Sequence, residues 1–369
     1  MIDTLLVLNT GSSSLKFQVF RLDTLDVLMQ GKVADIGGAA ALAATLADGE
    51  KLSAEVGGND HDAALAAVMT LVDRHDDDWR TKAVVHRIVH GGTRFADPVI
   101  VTPEIEAELR RLVPLAPLHQ PHNLAGLDAS NRLAPDALDI ACFDTAFHAG
   151  HSEVISSFAI EKDFRDKGIR RYGFHGLSYE WIAHALREQH PSLYHGRVVA
   201  AHLGNGASLC ALGTGVSIDT TMGMTALDGL PMGTRCGAID AGAVIFMQRE
   251  LGLTPDEAEH HLYERSGLKG LSGLTNDVEA LLASPDPRAA FALDYFTLRV
   301  AQHAAMMAVS MGGLDAIVFT GGIGKHAGPI RQSITDRLAF LGPFETLVIP
   351  ANEERMMAQH ARRLLAGQA

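Results

Sequence analysis

The 369-residue chain has only three cysteines and two tryptophans, and its 31 lysines and arginines are outnumbered by 44 acidic residues. Each shortage excludes a class. Cys142, Cys210 and Cys236 are odd in number, widely spaced and form no C-x-x-C pair, which removes a disulfide framework and a zinc ribbon and leaves them as small buried apolar residues. A net charge of -13 argues against nucleic acid as partner, because affinity for a phosphate backbone rests on clustered cations. No apolar run approaches the roughly 20 residues of a membrane span. Met1-Ile2-Asp3 runs straight into a short apolar strand with no charged-then-apolar leader, so the expected location is the cytoplasm. Several catalytic signatures are also missing. No H-E-x-x-H or G-x-S-x-G occurs, and Gly324-Lys325 has Phe319 where a Walker loop needs glycine and His326 where it needs Ser or Thr. Gly322-Ile323-Gly324 meets its next glycine at Gly328, one residue late for a dinucleotide fingerprint.

What is present is a composition 47% hydrophobic, enough for a large core and, at this length, for two domains. The chain opens on an apolar strand, Leu5 to Leu8, a turn Asn9-Thr10-Gly11-Ser12-Ser13-Ser14, and an alternating strand that carries Lys16. Gly11 lets an anion approach the backbone, the serines add donors, Lys16 brings a mobile charge, and Asn9 offers a neutral oxygen to a metal-bound water. A phosphate-holding hairpin and an ordinary serine-rich turn both fit that segment. Residues 34–59 read as peripheral strand and loop, and Asp62–Arg74 as an amphipathic helix. Apolar strands then deliver polar residues at their carboxyl ends, where layered α/β folds bind ligands: Ala83-Val84-Val85 leads to His86-Arg87, and 138–143 to Asp144. A second strand–turn–strand unit spans 198–211 around His202-Leu203-Gly204-Asn205-Gly206, repeating the logic of the first. A strand at 316–319 runs into Gly321-Gly322-Ile323-Gly324, with a helix expected from Pro329 to Leu338. Thr254-Pro255-Asp256-Glu257 reads as a capped helix start with Gly267 after the last turn, and Pro287–Met311 as a long helix stopped by Gly312-Gly313. Arg87, His119, Asp144, Arg170, Arg171, His175 and Arg235 lie beside glycines or at strand ends. Phosphoryl transfer, which spreads charge over three equatorial oxygens, needs separately placed cationic donors of this kind.

These motifs together resemble the acetokinase family. The likeness runs from residue 4 to about 360 and rests on Leu8 through Lys16, His86 through Gly92, Phe143 through His148, Arg170 through Gly176, His202 through Ser208, Met232 through Arg235, Phe319 through Gly324 and Ile349 through Glu354. It implies an α/β fold of two duplicated actin-like, ribonuclease H-like ATPase domains with mixed sheets flanked by helices and an active site in the interdomain cleft. Residues 1–146, completed by a C-terminal helix 355–369, would form the first domain, and 147–354 the nucleotide-binding second. The implied reaction is reversible, magnesium-dependent phosphorylation of acetate or another short carboxylate by ATP, giving an acyl phosphate and ADP by direct in-line transfer; manganese is expected to substitute. A homodimer is implied too. By resemblance, Asp144, His175 and Arg235 are catalytic, and Arg87 with Val89, Leu118, Phe174 and Ala226 binds the carboxylate. Ser12, Lys16, His202, Leu203, Gly204, Asn205, Gly206, Asp277, Gly322, Ile323, Gly324 and Lys325 bind nucleotide, and Asn9 and Glu353 flank the metal. Structural roles compete at three sites. Glu353 follows the capping residue Asn352 and would suit a helix amino end, Asp144 would suit a turn cap, and Arg87 an ion pair.

The chain also departs from the family pattern. Ala226 stands where proline is usual, Glu279 where arginine is common, Lys325-His326 where Glu-Asn is usual, and Cys236-Gly237-Ala238 follows Arg235 where serine and aspartate are usual; the segment before Leu347 is shorter. Lys325 could reach a phosphate and partly offset Glu279. The propionate kinases share these motifs, and a nucleotide-binding sensor without turnover is the rival of another class. Loss of the proline ring at Ala226 is expected to widen the acyl pocket so that propionate is used well, since one methylene shifts discrimination by only about 1–3 kcal/mol. Acetate-to-propionate kcat/KM ratios of the parent and Ala226→Pro should differ; equal ratios would refute the idea.

Overall fold

The structure is a computed structural model that describes residues 1–11, 14–74 and 78–367. The chain divides into two compact units, Met1–Ala146 with Asn352–Ala369, and Phe147–Ala351. Among the described residues the first unit holds strands β1 (Ile2–Thr10), β2 (Ser14–Arg21), β3 (Val27–Ala34), β4 (Ala41–Leu46), β5 (Lys51–Glu55), β6 (Trp79–Ile88), β7 (Val99–Ile100) and β8 (Leu138–Phe143). Their order in the sheet is β5-β4-β3-β2-β1-β6-β8-β7. The second unit holds β9 (Arg197–Leu203), β10 (Ala207–Gly213), β11 (Val216–Thr220), β12 (Ala316–Thr320) and β13 (Glu345–Val348), ordered β11-β10-β9-β12-β13.

The two sheets share one topology. In the first, β3, β2 and β1 are successively antiparallel, and β6 and β8 continue parallel to β1. In the second, β11, β10 and β9 are antiparallel, and β12 and β13 continue parallel to β9. The repeat extends to single positions: Asn9 and His202 are each the penultimate residue of the strand that opens its hairpin. Central strands explain the apolar runs, since Leu5 to Leu8 and Val198 to Ala201 are all buried and a strand covered on both faces needs no alternation.

Helices fill the layers. His61–Arg74 sets Ala64, Leu65, Val68 and Val72 against the inner side chains of β1 and β2. The last helix, Glu353–Ala366, returns to the first unit, burying Met356, Met357, Ala358 and Ala361 against a sheet surface that includes β1 and β6. Arg355 and Arg362 donate to the carbonyls of Leu25 and Asp23. Pro255–Glu264 starts with the reciprocal Thr254–Glu257 capping box, and Pro287–Met311 stops at Gly312 with φ +72. Gly267 lies after the last turn of Pro255–Glu264, as expected, and with φ +60 it also opens a further short helix, Gly267–Ser272. The glycines after β12 are themselves helical, Gly321–His326, with Gly321 at φ +76 turning the chain directly out of the strand. Of the cysteines, Cys142 and Cys210 are buried, whereas Cys236 is only half-buried.

His148 anchors the second unit's interior. Its Nε2–H donates to the Phe174 carbonyl at 3.0 Å, so Nδ1 accepts from Ser217 Oγ at 2.8 Å, and Ser217 in turn accepts from His151 Nε2 at 2.7 Å. Gly173 makes this packing possible, because a Cβ there would fall 2.7 Å from His148 Cδ2. Burial, helped by His151, pushes the His148 pKa down to about 3. The folded imidazole therefore stays neutral while the unfolded one takes a proton below about pH 6.5, so stability is full above that pH and falls as pH drops toward 3. Between pH 7 and 5 this single group should remove about 2 kcal/mol. Urea melts at both pH values should show that loss shrinking by about this amount in His148→Gln; an unchanged loss would refute it.

Candidate active site

In the first unit, carboxyl ends of three parallel strands and the start of the last helix gather Asn9 from β1, Arg87 from β6, Asp144 after β8, and Glu353 with Glu354. Arg87 is the hub. Its Nε lies 3.0 Å from Asp144 Oδ1 and its Nη2 2.7 Å from Oδ2, a bidentate pair, while Nη1 reaches Asn9 Oδ1 at 3.1 Å and Glu353 Oε2 at 3.2 Å. The Asn9 amide donates onward to Glu353 Oε2 at 3.4 Å and Glu354 Oε1 at 3.3 Å. Burial opposes the Arg87 charge, yet the carboxylates of Asp144 and Glu353 outweigh it and hold its pKa above the ordinary arginine value. Burial pushes the Asp144 carboxyl up, against the pull of Arg87.

The three competing structural roles now have a geometry. Arg87 is an ion-pair partner of Asp144, and it is also one-fifth exposed at its side chain, with Nη1 turned to the polar group around Asn9. Asn352 caps the last helix through Arg355 N–H, and Glu353, in the first turn, turns its side chain to Arg87. The hairpin register puts Lys16 opposite Asn9, hence on the same face. Lys16 is exposed and lines, with Glu354, a concavity of about 610 Å³ on the sheet. Ser12 lies outside the described residues.

Side chains that no motif assigned hold this group in place. Asn123 donates to the Thr10 carbonyl at 2.8 Å and accepts from Val89 N–H at 3.0 Å, joining the ends of β1 and β6. Gln120 pairs with both backbone groups of His90, and Thr145 accepts from Gly91 N–H. His61 Nε2 donates to the Gly11 carbonyl at 2.8 Å and stacks on His122. Gln120 and Asn123 sit in the polar run after Leu118, so their signal was a cluster of buried amides that sequence periodicity does not distinguish from loop.

In the second unit, His175 precedes the helix Gly176–Gln189 in a left-handed conformation, φ +57, sparsely populated for a residue with a side chain. Its ring stacks on His202 at 4.4 Å and its Nδ1 lies 2.8 Å from Ser208 Oγ. Ser178 Oγ meets His202 Nδ1 at 2.9 Å. Arg235 donates to the Ala226 carbonyl at 3.1 Å and lies over the Tyr263 ring. Burial lowers its pKa from the ordinary arginine value, with Tyr263 and Glu264 pulling the other way. Both groups flank Gly206: a Cβ there would sit 3.3 Å from His175 Nε2 and 4.0 Å from Arg235 Nη1. Glycine thus keeps open a space faced by two nitrogen groups.

Beside it, a cavity of about 710 Å³ is lined by Gly204, Asn205, Asp277, Glu279, Gly322, Ile323 and His326 among others. It gathers five of the residues expected to bind nucleotide. Leu203 is buried in β9, Gly206 faces His175, and Gly324 is buried against the end of β12. Lys325 is exposed and not in the lining, which Glu279 and His326 share; the departure from the family pattern therefore meets the cavity through a carboxylate and an imidazole. Of the residues expected to line an acyl pocket, Val89 and Leu118 belong to the first unit, Phe174 and Ala226 to the second. Cys236 lines a separate hollow with Arg265 and Tyr295, and burial pushes its thiol up to about 11.

The model of the acetokinase family matches residues 4–359. The chain belongs to the acetokinase family. It is 42% identical to the acetate kinase of Rhodopseudomonas palustris strain TIE-1 over 396 aligned positions covering all of both chains, and 44% identical to that of Nitrobacter hamburgensis over 98% of this chain and 96% of the relative. The first alignment is longer than the chain, so that acetokinase carries residues that this one lacks. Among solved structures, Porphyromonas gingivalis acetate kinase matches at TM-score 0.88 and 32% identity, covering 98% of this chain and all of that one. A propionate kinase from Francisella tularensis matches at 0.91 and 32%, covering 97% and 99%. The fold is therefore the two-domain actin-like α/β fold of these acetokinases, and the protein is a phosphotransferase.

Asn123→Ala should leave the Thr10 carbonyl and Val89 N–H without their partner and lower the free energy of unfolding by on the order of 2 kcal/mol. An unchanged urea midpoint would show that water replaces the amide freely.

Proposed function

We propose that this acetokinase transfers the γ-phosphoryl group of ATP reversibly and directly to acetate, giving acetyl phosphate and ADP. The observation that supports it best is the space at Gly206 faced by His175 Nε2 and Arg235 Nη1, adjoining a glycine-lined cavity of nucleotide size. Two nitrogen groups aimed at one small space suit the equatorial oxygens of a phosphoryl group in transfer, where charge spreads and preorganised donors do most of the work. Gly204, Asn205, Gly322 and Ile323 would cradle the nucleotide, with Asp277 at its rim. Glu279 and His326 lining the same cavity imply a nucleotide contact different from that of relatives with arginine there.

The carboxylate substrate is already ionised near neutral pH and needs no base. Arg87 is the cation of the first unit suited to hold it: Asp144 fixes Nε and Nη2, and the substrate carboxylate would take the place of Asn9 or Glu353 at Nη1. Val89, Leu118, Phe174 and Ala226 would supply the apolar contacts to the methyl group.

The donor set around Asn9 fits magnesium. Carboxylate oxygens of Glu353 and Glu354 converge on one amide, and this hard ion takes one or two carboxylates and completes its shell with water and substrate phosphates. Among the described residues no group of three or more His, Cys, Asp or Glu is arranged to hold a metal. Asn9 and Glu353 would hold it, Asp144 would help orient it, and it would neutralise charge on the phosphates; manganese would serve the same donors. Lys16, opposite Asn9, and Ser12 would then act on phosphate from the hairpin.

Propionate is the second candidate acceptor, suggested by Ala226 and compatible with the likeness to the Francisella protein. The enzyme is read as cytoplasmic, and no described helix is long and apolar enough to cross a membrane. A homodimer is supported by an apolar stripe along the helix Pro287–Met311, where Phe291, Leu298, Met306 and Val309 are exposed at helical spacing.

Acyl phosphate trapped with hydroxylamine from Mg-ATP and formate, acetate, propionate or butyrate should show magnesium-dependent turnover, highest with acetate. Arg235→Ala should lose on the order of a hundredfold or more in kcat, and the active species should have the mass of two chains. Mg-ATP binding without product from any acid would replace the kinase with a nucleotide sensor.

A further inference from the structure

The phosphoryl-facing imidazole is backed by two hydroxyls that the family motifs leave without a role. Ser208, on β10, and Tyr179, on the first turns of the helix that His175 precedes, are both fully buried. The Tyr179 hydroxyl bonds to Ser208 Oγ, and Ser208 Oγ bonds to His175 Nδ1 at 2.8 Å. On its other side the ring presents Nε2 to the space at Gly206.

The geometry points to Tyr179 and Ser208 as positioning residues that fix the tautomer of His175. Ser208 has one hydroxyl hydrogen. With Tyr179 donating to Ser208, that hydrogen goes to Nδ1, and the neutral ring must then carry its own hydrogen on Nε2. Nε2 thereby becomes a hydrogen-bond donor toward the Gly206 space, the polarity an anionic phosphoryl oxygen requires. The opposite polarity, Nδ1–H to Ser208 to Tyr179, would present a lone pair to a phosphate oxygen and repel it. No proton is transferred in either case; the relay sets which atom of the ring holds one before substrate arrives.

Two further contacts keep the ring where the relay needs it. The His202 imidazole lies stacked on one face, with an 18° angle between planes, and the left-handed backbone at His175 aims the side chain back at β10. Tyr179 follows His175 by four residues, and its amide donates to the His175 carbonyl, so backbone and side chain of Tyr179 both bear on the same residue.

This inference rests on the phosphotransfer reading above, and the test separates the two. In uniformly 15N-histidine-labelled wild-type protein, with the His175 signals assigned by their loss in His175→Gln, the expected state is protonated Nε2 and unprotonated Nδ1. Kinetics should agree: Ser208→Ala should lower kcat for acyl phosphate formation on the order of tenfold to a hundredfold, the range seen when an imidazole loses its outer hydrogen-bond partner. The KM values for ATP and carboxylate should change less than about twofold, and Ser208→Thr, which keeps the hydroxyl, should recover most of the rate. Tyr179→Phe should fall between wild type and Ser208→Ala and mix the two tautomers. A protonated Nδ1 in the wild type, or wild-type kcat in Ser208→Ala, overturns the relay while leaving the kinase intact. A wild-type protein that makes no acyl phosphate overturns the functional reading, and the nitrogen spectrum still decides the tautomer.

Discussion

A partly buried guanidinium organises the first unit. Taking Arg87 and Asp144 largely out of water is costly for each alone, and the cost is offset when guanidinium hydrogens find oxygens. The sheet solves this by ending three adjacent parallel strands at one level, so that Asn9, Arg87 and Asp144 arrive together, and by bringing the last helix back with Glu353 at its first turn. Removing any one oxygen would leave part of a largely desolvated charge unsatisfied. The position of the final helix, the length of β6 and the turn after β8 are all tied to that requirement.

The second unit solves a different problem on the same topology. There the equivalent hairpin ends in His202 in place of Asn9, and across the strand pair Ser208 stands where Lys16 stands in the first. One copy of the repeat concentrates charge and oxygen donors. The other keeps a glycine gap, stacked imidazoles and buried hydroxyls, with its arginine held against a tyrosine ring. A duplicated scaffold thus carries two different sets of side chains, an arginine among carboxylates in one and stacked imidazoles beside a glycine gap in the other.

Much of this was legible in local sequence. The two hairpins, the polar residues at the ends of β6 and β8, the Thr254 capping box and the Gly312 stop are written in contiguous residues, and structure follows them. What was not legible is written in side chains far apart in the chain. Glu354 reaches Asn9 only because the helix returns, Asn123 joins two strand ends more than thirty residues from either, and Tyr179 looks like any apolar helix position until Ser208 is seen beneath it. The short helices that open at Gly267 and Gly321 had no local signal, because glycine at positive φ can start a helix as readily as follow one, and only the neighbouring backbone decides. Lys325, which departs from the family pattern and could reach a phosphate, is exposed, and it is the neighbouring His326 that joins the cavity lining.

The insertion of the second unit between Ala146 and Asn352 has a consequence for how the protein comes into being. A ribosome releases β1, β6 and β8 early, but the helix that covers them and delivers Glu353 emerges only after the whole of the second unit. Until then the nascent first unit exposes an apolar sheet surface and an arginine short of one carboxylate. Its completion is thus timed by translation of its neighbour, and a messenger cut short before Asn352 would yield a chain without the helix that brings Glu353 to Arg87.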